Sequence, residues 1–552
     1  MALVSSGPSP TPSAFGSPPD EDGQNQTPPF ADFNLVGLDG PLRGALGGQG
    51  RVPPEIMAFG AEWGSQDRLC LGRVANENPP RLKTHDPRGR RLDLVEFHPA
   101  YHALMAASSA SGLHSSTWNG ERHRDRAARL FITSQVEAGH VCPLTMTHAA
   151  PAALAAAPAL KAEWLPRITS RLYDGRFLPF WEKNSVTLGM GMTERQGGTD
   201  VRANTTLASP IGGEEYEITG HKWFFSAPMS DAFLVLAQAP GGLTCFLMPR
   251  FRPDGGVNAL HLQRLKDKLG NRSNASSEVE FDRAFAWRVG PEGRGVATIL
   301  EMVQLTRLDC AVSSAGLMRM ALAQAMHHAR HRMVFGKLLL EQPAMRAVLA
   351  DLALESEAAT AVTLRLAASF DGARSDPAEA ARARLLTPAV KFAVCKAAPA
   401  YVYEAMESLG GNGYVEESAL PRLYREAPVN AIWEGTGTVV ALDLLRAASR
   451  EPEAIRALVT DLAAEAGDLP GVAGTAQQIL ADLAHPQPEA LARRAADRLA
   501  LLAATAALAA SAPSAVADAY AVTRLAAPRA LFGTNDVAAA AEILMQRAFD
   551  AP

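Results

Sequence analysis

Met190-Gly-Met-Thr-Glu-Arg-Gln-Gly-Gly-Thr-Asp200 stands where the chain changes character. Before it, over residues 54–188, apolar residues recur at helical spacing, as in 121–139, with proline-containing breaks. After it, between Thr193 and Glu292, the runs shorten and fill with β-branched and aromatic residues, as in 215–218, 233–237 and 279–281, separated by Gly, Asn and Asp. Past Gly295 long periodic segments return, 296–335 and 343–369 among them, with lengths suited to antiparallel helices in a bundle. Beyond about Ala448 the composition turns Ala-rich, and no lysine follows Lys396. This succession predicts an α+β fold, mostly α: a Pro/Ser/Gly-rich mobile tail (1–30), an N-terminal mainly helical domain (31–188), a central β domain (189–292), a helix bundle (293–448) and an additional C-terminal helical domain (449–552). Helices, then strands, then helices exclude an alternating Rossmann unit, so a bound dinucleotide would not rest on a GxGxxG turn.

The 552 residues carry 58 acidic and 53 basic side chains, a net charge of -5, which gives no global attraction to nucleic acid. Five cysteines, Cys70, Cys142, Cys245, Cys310 and Cys395, lack CxxC spacing and point to a reducing, cytoplasmic setting. The first 29 residues have neither the basic start nor the apolar core of a signal peptide. Residues 499–517 are uncharged, but Ala, Ser, Thr and Pro513 make them too weakly apolar for a membrane span. His327, His328 and His331 beside Arg330 read as a polar helix face, and no metal is expected without carboxylates and cysteines at ligand spacing.

Two strings carry candidate chemistry. In 190–200 adjacent glycines expose backbone N–H groups, and Thr193 and Thr199 add hydroxyls, a set able to hold a flavin edge and a pyrophosphate; a tight turn with capping hydroxyls is the ordinary alternative. In Ile218-Thr-Gly-His-Lys-Trp-Phe-Phe-Ser226 a strand carries aromatics that could pack on an isoalloxazine face or simply fill a core.

These strings, with Arg332-Met-Val-Phe-Gly-Lys337, Leu409-Gly-Gly-Asn-Gly-Tyr414 and Ile432-Trp-Glu-Gly-Thr436, resemble the motifs of the acyl-CoA dehydrogenases, in the family's order over roughly residues 90–448. The resemblance implies bound FAD and an acyl-CoA dehydrogenase-like fold. It sets Met190, Met192, Thr193, Gly198 and Thr199 at flavin-ring and phosphate contacts, and Phe224, Phe225 and Ser226 on the strand beside the ring. Arg332, Phe335, Glu407 and Gly411 match residues that reach the FAD of a neighbouring subunit, implying a dimer or, as a pair of dimers, a homotetramer. Ile432, Trp433, Thr436 and Thr438 match further cofactor contacts around Glu434, the residue in the place of the proton-abstracting base.

Oxidation of an acyl thioester at Cα–Cβ needs a base for the α proton while hydride leaves Cβ, so one carboxylate must face the flavin across the acyl chain. Glu434 fits that need; the local string alone equally allows a first-turn glutamate stabilising the next helix. A subgroup that includes isovaleryl-CoA dehydrogenase carries its base on an earlier helix, before an arginine, and this chain has Thr306 there, before Arg307. Arg307 itself is open to two roles, a substrate contact or an inter-helix salt bridge.

A finer resemblance, through 264–276, 221–226 and 421–426, is to the AidB branch, flavoproteins of the adaptive response to DNA alkylation whose members are implied to bind duplex DNA through a basic C-terminal region. Here residues 441–552 hold nine Arg and no Lys against thirteen Asp and Glu, a net charge of -4, so phosphate attraction is weakened unless Arg446, Arg450, Arg493, Arg494 and Arg498 form a positive stripe. Phe224 stands where most dehydrogenases place Trp, and Gln342 lies one residue earlier than usual. Two functions follow as expectations: an FAD-dependent oxidoreductase acting on CH–CH groups, with Glu434 as base, or a DNA-associated protective flavoprotein with little turnover.

Overall fold

A computed structural model of the protein describes residues 25–47, 51–527 and 538–549. The N-terminal part holds helices α1 (Gly40–Gly47), α2 (Pro54–Trp63), α3 (Gln66–Glu77), hairpin strands β1 (Arg81–His85) and β2 (Arg91–Glu96), then α4 (Pro99–Ala110), α5 (His123–Val136), α6 (Val141–Leu154) and α7 (Pro158–Ile168). Proline opens α2, α4 and α7, where its missing N–H would have had no partner anyway, and Ser65 caps α3 by accepting from the Arg68 amide. The hairpin is the β element of this mainly helical region. Its turn is fixed by Asp86, whose Oδ1 accepts from the Arg88 and Arg90 amides, and two strands of five and six residues are too short to stand out against the helices around them.

The central part is strands β3 (Leu188–Gly191), β4 (Leu207–Gly212), β5 (Glu215–Ser226), β6 (Ala232–Ala239), β7 (Gly242–Pro249), β8 (Leu260–Leu265) and β9 (Ser276–Val289). Pairing runs β6–β4–β5–β9–β7 and returns to β6, so the sheet closes on itself; β3 adds parallel to β6, and β8 antiparallel to β9. Along β6 the two-residue period divides the side chains between two cores. Phe233, Val235 and Ala237 fill the barrel, while Leu234 and Leu236 face a second core shared with α6 and the next long helix.

That helix is α8 (Gly295–His331), followed by the hairpin β10 (Met333–Val334) and β11 (Lys337–Leu338), then α9 (Pro343–Gly372), α10 (Pro377–Glu407), α11 (Gly411–Tyr414), α12 (Ala419–Glu426), α13 (Val429–Ile432) and α14 (Gly437–Arg450). Met302 and Leu305 near the start of α8 join the core beside the barrel, and Leu308 to Ala329 join the bundle core. One helix therefore ties β and α parts together.

The C-terminal helices are α15 (Pro452–Ala466), α16 (Val472–Leu483), α17 (Pro488–Ser511), α18 (Ser514–Tyr520) and α19 (Ala541–Ala548). They are not a detached body. Leu499, Leu502 and Leu508 of α17 belong to one core with Leu352 of α9 and Val390 of α10, and Arg524 reaches Asp351 at 2.6 Å and Glu355 at 3.0 Å. A correction concerns the tail. Residues 1–24 lie outside the described residues, but 25–30 are packed: Asn25 exchanges hydrogen bonds with the Met333 backbone, Thr27 Oγ1 meets His328 Nδ1 at 2.9 Å, and the Pro28 carbonyl meets His327 Nε2 at 2.9 Å. The histidines read as a polar helix face are the anchor for this segment, and burial pushes His327 and His328 down to about 4.

Removing a buried cation from paired carboxylates costs about 3–5 kcal/mol. Arg524→Ala is therefore expected to lower the denaturant midpoint of the whole chain in a single transition; a separate early transition confined to the C-terminal helices would show them to be an independent unit.

Candidate active site

Glu434 lies between α13 and α14 with φ of 58°, and Gly435 follows with φ of 101°. Two consecutive left-handed residues, the first not glycine, are costly and persist only where surroundings fix them. Two buried cations do so through the backbone. Arg307 of α8 donates from Nε to the Glu434 carbonyl at 3.0 Å, and Lys391 of α10 donates from Nζ to the Gly435 carbonyl at 2.5 Å. Neither makes an ion pair with the carboxylate. Oε2 of Glu434 is buried and accepts no hydrogen bond among the described residues, and burial raises the carboxyl above its usual range against the opposing pull of Arg307, Thr306 and Lys391.

Around it stand Cys142 of α6 and Cys310 of α8, whose thiols both respond to the Glu434 charge and are pushed upward by burial, Cys142 to about 12. Asp309 adds to the rise of Glu434 and is itself held by Arg126 at 2.5 and 2.8 Å. Of the two roles open to Arg307 the inter-helix one is present: besides the Glu434 carbonyl it holds Asp443 of α14 at 2.6 Å.

The 190–200 string folds against β5. The Trp223 amide donates to the Thr193 carbonyl at 2.9 Å, and buried Lys222 donates to Glu194 at 2.8 Å. Glu194 also accepts from the Thr205 and Thr206 amides, which pins the turn from both sides, and the Lys222 charge with these hydrogen bonds holds it near 2 against burial. Gly197 has φ of 132°, and a Cβ on Gly198 would stand 2.4 Å from Thr193 Oγ1, so both glycines are required by geometry. The Gly198 and Thr199 amides have no acceptor among the described residues. Free amides on an exposed turn beside a threonine hydroxyl fit a flavin edge or phosphate.

Met190, Met192 and Trp433 are half-buried against the same hydrophobic core, the one beside the barrel. On β5 a register shift between Lys222 and Phe225 turns Trp223 and Phe224 outward together. Phe224 is exposed, with Lys266 Nζ 4.8 Å from its ring centroid. Phe225 is corrected: it lies inside the barrel, 4.2 Å from the Phe233 ring centroid, and cannot face a cofactor. Ser226 stays at the surface of the strand, 3.2 Å from Ser276.

A second group gathers elsewhere on the bundle. Phe335 and Gly336, both with positive φ, form the tip of the β10–β11 hairpin, where Phe335 is 96% exposed. Arg332 donates to the Asn25 carbonyl, and Gln26 meets Asn412 at 3.4 Å, so residues 25–26 bridge this hairpin and the turn that carries Gly411. Glu407, Gly411, Ile432, Thr436 and Thr438 are exposed, and Thr438 lies 3.5 Å from Arg493 of α17. Lys391 and Asp443, which shape the Glu434 loop, escaped the sequence reading because each lies on another helix with no motif around it.

The residues present fit FAD: a turn with free amides and hydroxyls, an outward aromatic pair on β5, and a buried carboxylate oxygen without a hydrogen-bond partner among the described residues. Residues 25–175 match the family model for the adaptive response protein AidB N-terminal domain, 189–284 that for the acyl-CoA dehydrogenase middle domain, and 293–449 that for the acyl-CoA dehydrogenase C-terminal domain. The AidB protein of Escherichia coli (strain K12) is 50% identical over 449 residues, which cover 80% of this chain and 82% of that protein. The chain belongs to the acyl-CoA dehydrogenase family, in its AidB branch. Membership makes it an FAD-dependent oxidoreductase acting on CH–CH groups. Among solved structures, the Bd2924 apo-form superposes with a TM-score of 0.80 at 28% identity, covering 88% of this chain and 99% of that one. Caenorhabditis elegans ACDH-11 in complex with C11-CoA gives 0.76 at 27% identity, covering 90% and 88%.

Lys222→Ala leaves the Glu194 carboxylate buried without its cation, so stability is expected to fall by about 3–5 kcal/mol. The paired change Lys222→Met with Glu194→Gln is expected to recover most of that loss, measured by denaturant unfolding alongside flavin content.

Proposed function

We propose that this AidB-type protein oxidises the Cα–Cβ bond of an acyl thioester or a related small carbonyl compound, with Glu434 as the base. The observation that carries this reading is the unpartnered, buried Oε2 of Glu434, on a loop whose carbonyls are held by Arg307 and Lys391. A carboxylate withdrawn from water is a stronger base than one in solvent. The chain supplies three things. Arg307 and Lys391 fix the loop, so the carboxylate is aimed before substrate arrives. The carboxylate takes the α proton. Neutral Cys142 and Cys310 beside it keep its surroundings poorly solvating. FAD supplies the acceptor for the hydride that leaves Cβ.

The exposed Phe335 tip, Tyr414 and Val415 support contacts with a neighbouring subunit, and thus a homotetramer built as a dimer of dimers in which Arg332, Phe335, Glu407 and Gly411 reach the neighbour's FAD. Gly198, Thr199, Thr193, Met190, Met192, Phe224, Ser226 and Trp433 are the proposed contacts within one chain. A part in the response to DNA alkylation, in the cytoplasm, follows from the AidB N-terminal match and from five free cysteines. Direct duplex DNA binding gains no support from the C-terminal arginines. Arg494 and Arg498 share Asp482, and Arg456, Arg524 and Arg547 are paired with acids, leaving Arg446 and Arg450 exposed and Arg493 over the Phe392 ring. Among the described residues no helix is long and apolar enough to cross a membrane.

Anaerobic mixing of the FAD-loaded protein with acyl-CoAs of graded length tests the assignment. Flavin bleaching is expected, slowed by about 10²- to 10⁴-fold in Glu434→Gln. No bleaching at any length overturns it. Because the carboxylate form is the base and its pKa is raised, the bleaching rate is expected to rise with pH through that raised value and then level off. Phe335→Asp is expected to shift the assembly toward smaller species in light scattering and to lower flavin retention.

A further inference from the structure

The β10–β11 hairpin is too small to hold itself. Met333 with Leu338 and Val334 with Lys337 make its whole ladder, and an isolated two-stranded hairpin is at best marginally stable in water. Its tip adds a cost. Phe335 and Gly336 have φ of 52° and 76°, a left-handed turn that suits the glycine and strains the phenylalanine. The exposed Phe335 ring offers no compensating burial within the chain.

Order must therefore come from outside the hairpin, and two carboxamides supply it. Gln342 donates from Nε2 to the Val334 carbonyl at 2.8 Å. Asn25 does more: its Nδ2 donates to the Met333 carbonyl and its Oδ1 accepts from the Met333 amide, both at 2.8 Å, as a third strand would. Asn25 is itself left-handed, with φ of 49°, a conformation asparagine tolerates better than most residues. Its backbone carbonyl accepts from Arg332 Nη1, and the other N–H groups of that half-buried guanidinium meet no acceptor among the described residues. Thr27 and Pro28 fasten the segment to His328 and His327 on the last turns of α8, and Gln26 reaches Asn412 beside Gly411. One short stretch of chain thus links the hairpin to the glycine turn some seventy-five residues further along, the two places proposed to meet a neighbour's FAD.

We propose that Asn25 is a positioning residue for the cofactor, holding Arg332 and the Phe335 hairpin in the pose that receives the FAD of the neighbouring subunit. The inference rests on the reading that Arg332 and Phe335 reach that FAD. Asn25 acts through them: with the hairpin braced and one guanidinium N–H engaged, the remaining Arg332 donors are ordered before the cofactor arrives, which removes part of the entropy cost of binding. Residues 25–28 then belong to the flavin site functionally, although every contact they make here is within their own chain.

The full chain, freed of flavin and titrated with FAD, tests this through quenching of flavin fluorescence. Asn25→Gly keeps the left-handed backbone accessible and removes only the carboxamide, so strain does not enter. It is expected to weaken FAD binding about tenfold, as fits the loss of one or two hydrogen bonds. Hydrogen exchange across residues 332–338 of the flavin-free chain is expected to speed up, with the denaturant midpoint of that chain unchanged. Arg332→Met is expected to weaken FAD as well, and the double variant to be weakened by less than the product of the two single effects, because one residue acts through the other. Undiminished FAD affinity in Arg332→Met removes the reading of neighbour contacts, and this proposal with it. Affinity lost in Arg332→Met but kept in Asn25→Gly leaves that reading standing and overturns the role of Asn25. Unchanged exchange at 332–338, fully multiplied effects in the double variant, or a fall in midpoint that accounts for the lost affinity overturns it too.

Discussion

Two buried cations grip the backbone of the Glu434 loop and leave its carboxylate alone. Had Arg307 or Lys391 paired with the carboxylate, the pKa would fall and the group would be a weak, neutralised base. Directed instead at the carbonyls of Glu434 and Gly435, the same charges stabilise two left-handed residues in succession and lower the carboxyl only through space. Burial then wins, and the group is raised. Much of the architecture serves this arrangement: α8 supplies Arg307, α10 supplies Lys391, and α14 supplies the Asp443 that keeps Arg307 in place.

The turn at 190–200 depends on a comparable economy of charge. Glu194 lies inside the motif that holds the free amides, yet its own carboxylate is wholly engaged by Lys222, Thr205 and Thr206. Its work is to shape the turn from within, which leaves the outward amides of Gly198 and Thr199 for a ligand. The region thus contains ion pairs closed on themselves, Glu194 with Lys222 and Arg307 with Asp443, and one buried carboxylate oxygen, Oε2 of Glu434, without a hydrogen-bond partner among the described residues. Paired groups build the frame; unpaired ones mark where chemistry is expected.

The order of helices, barrel and bundle was legible because hydrophobic period changes abruptly at residues 188–193 and again near Gly295. The glutamate was legible from its motif. What spacing could not reveal is contact between distant helices: Lys391 on α10 and Asp443 on α14 each reach the site by tertiary packing alone. Phe225 was misread because a bulge changes which neighbour faces out, and a bulge depends on the partner strand rather than on the aromatic run itself. The ordered segment 25–30 was misread because its composition is that of a linker, while its hold comes from two histidines three hundred residues away.

Helices far apart in sequence, α1 and the C-terminal α17 and α19, meet. Gly40 and Gly44 of α1 approach the backbone of Arg547 and Ser511 so closely that a Cβ on Gly44 would stand 2.9 Å from the Ser511 carbonyl, and Arg547 reaches back to Glu357 in the middle of the bundle. Synthesis must therefore have passed Arg547 before α1 acquires these neighbours. Until then the apolar faces of α1 and α9 that await α17 and α19 stay uncovered, which makes the nascent protein a natural client for chaperones during synthesis.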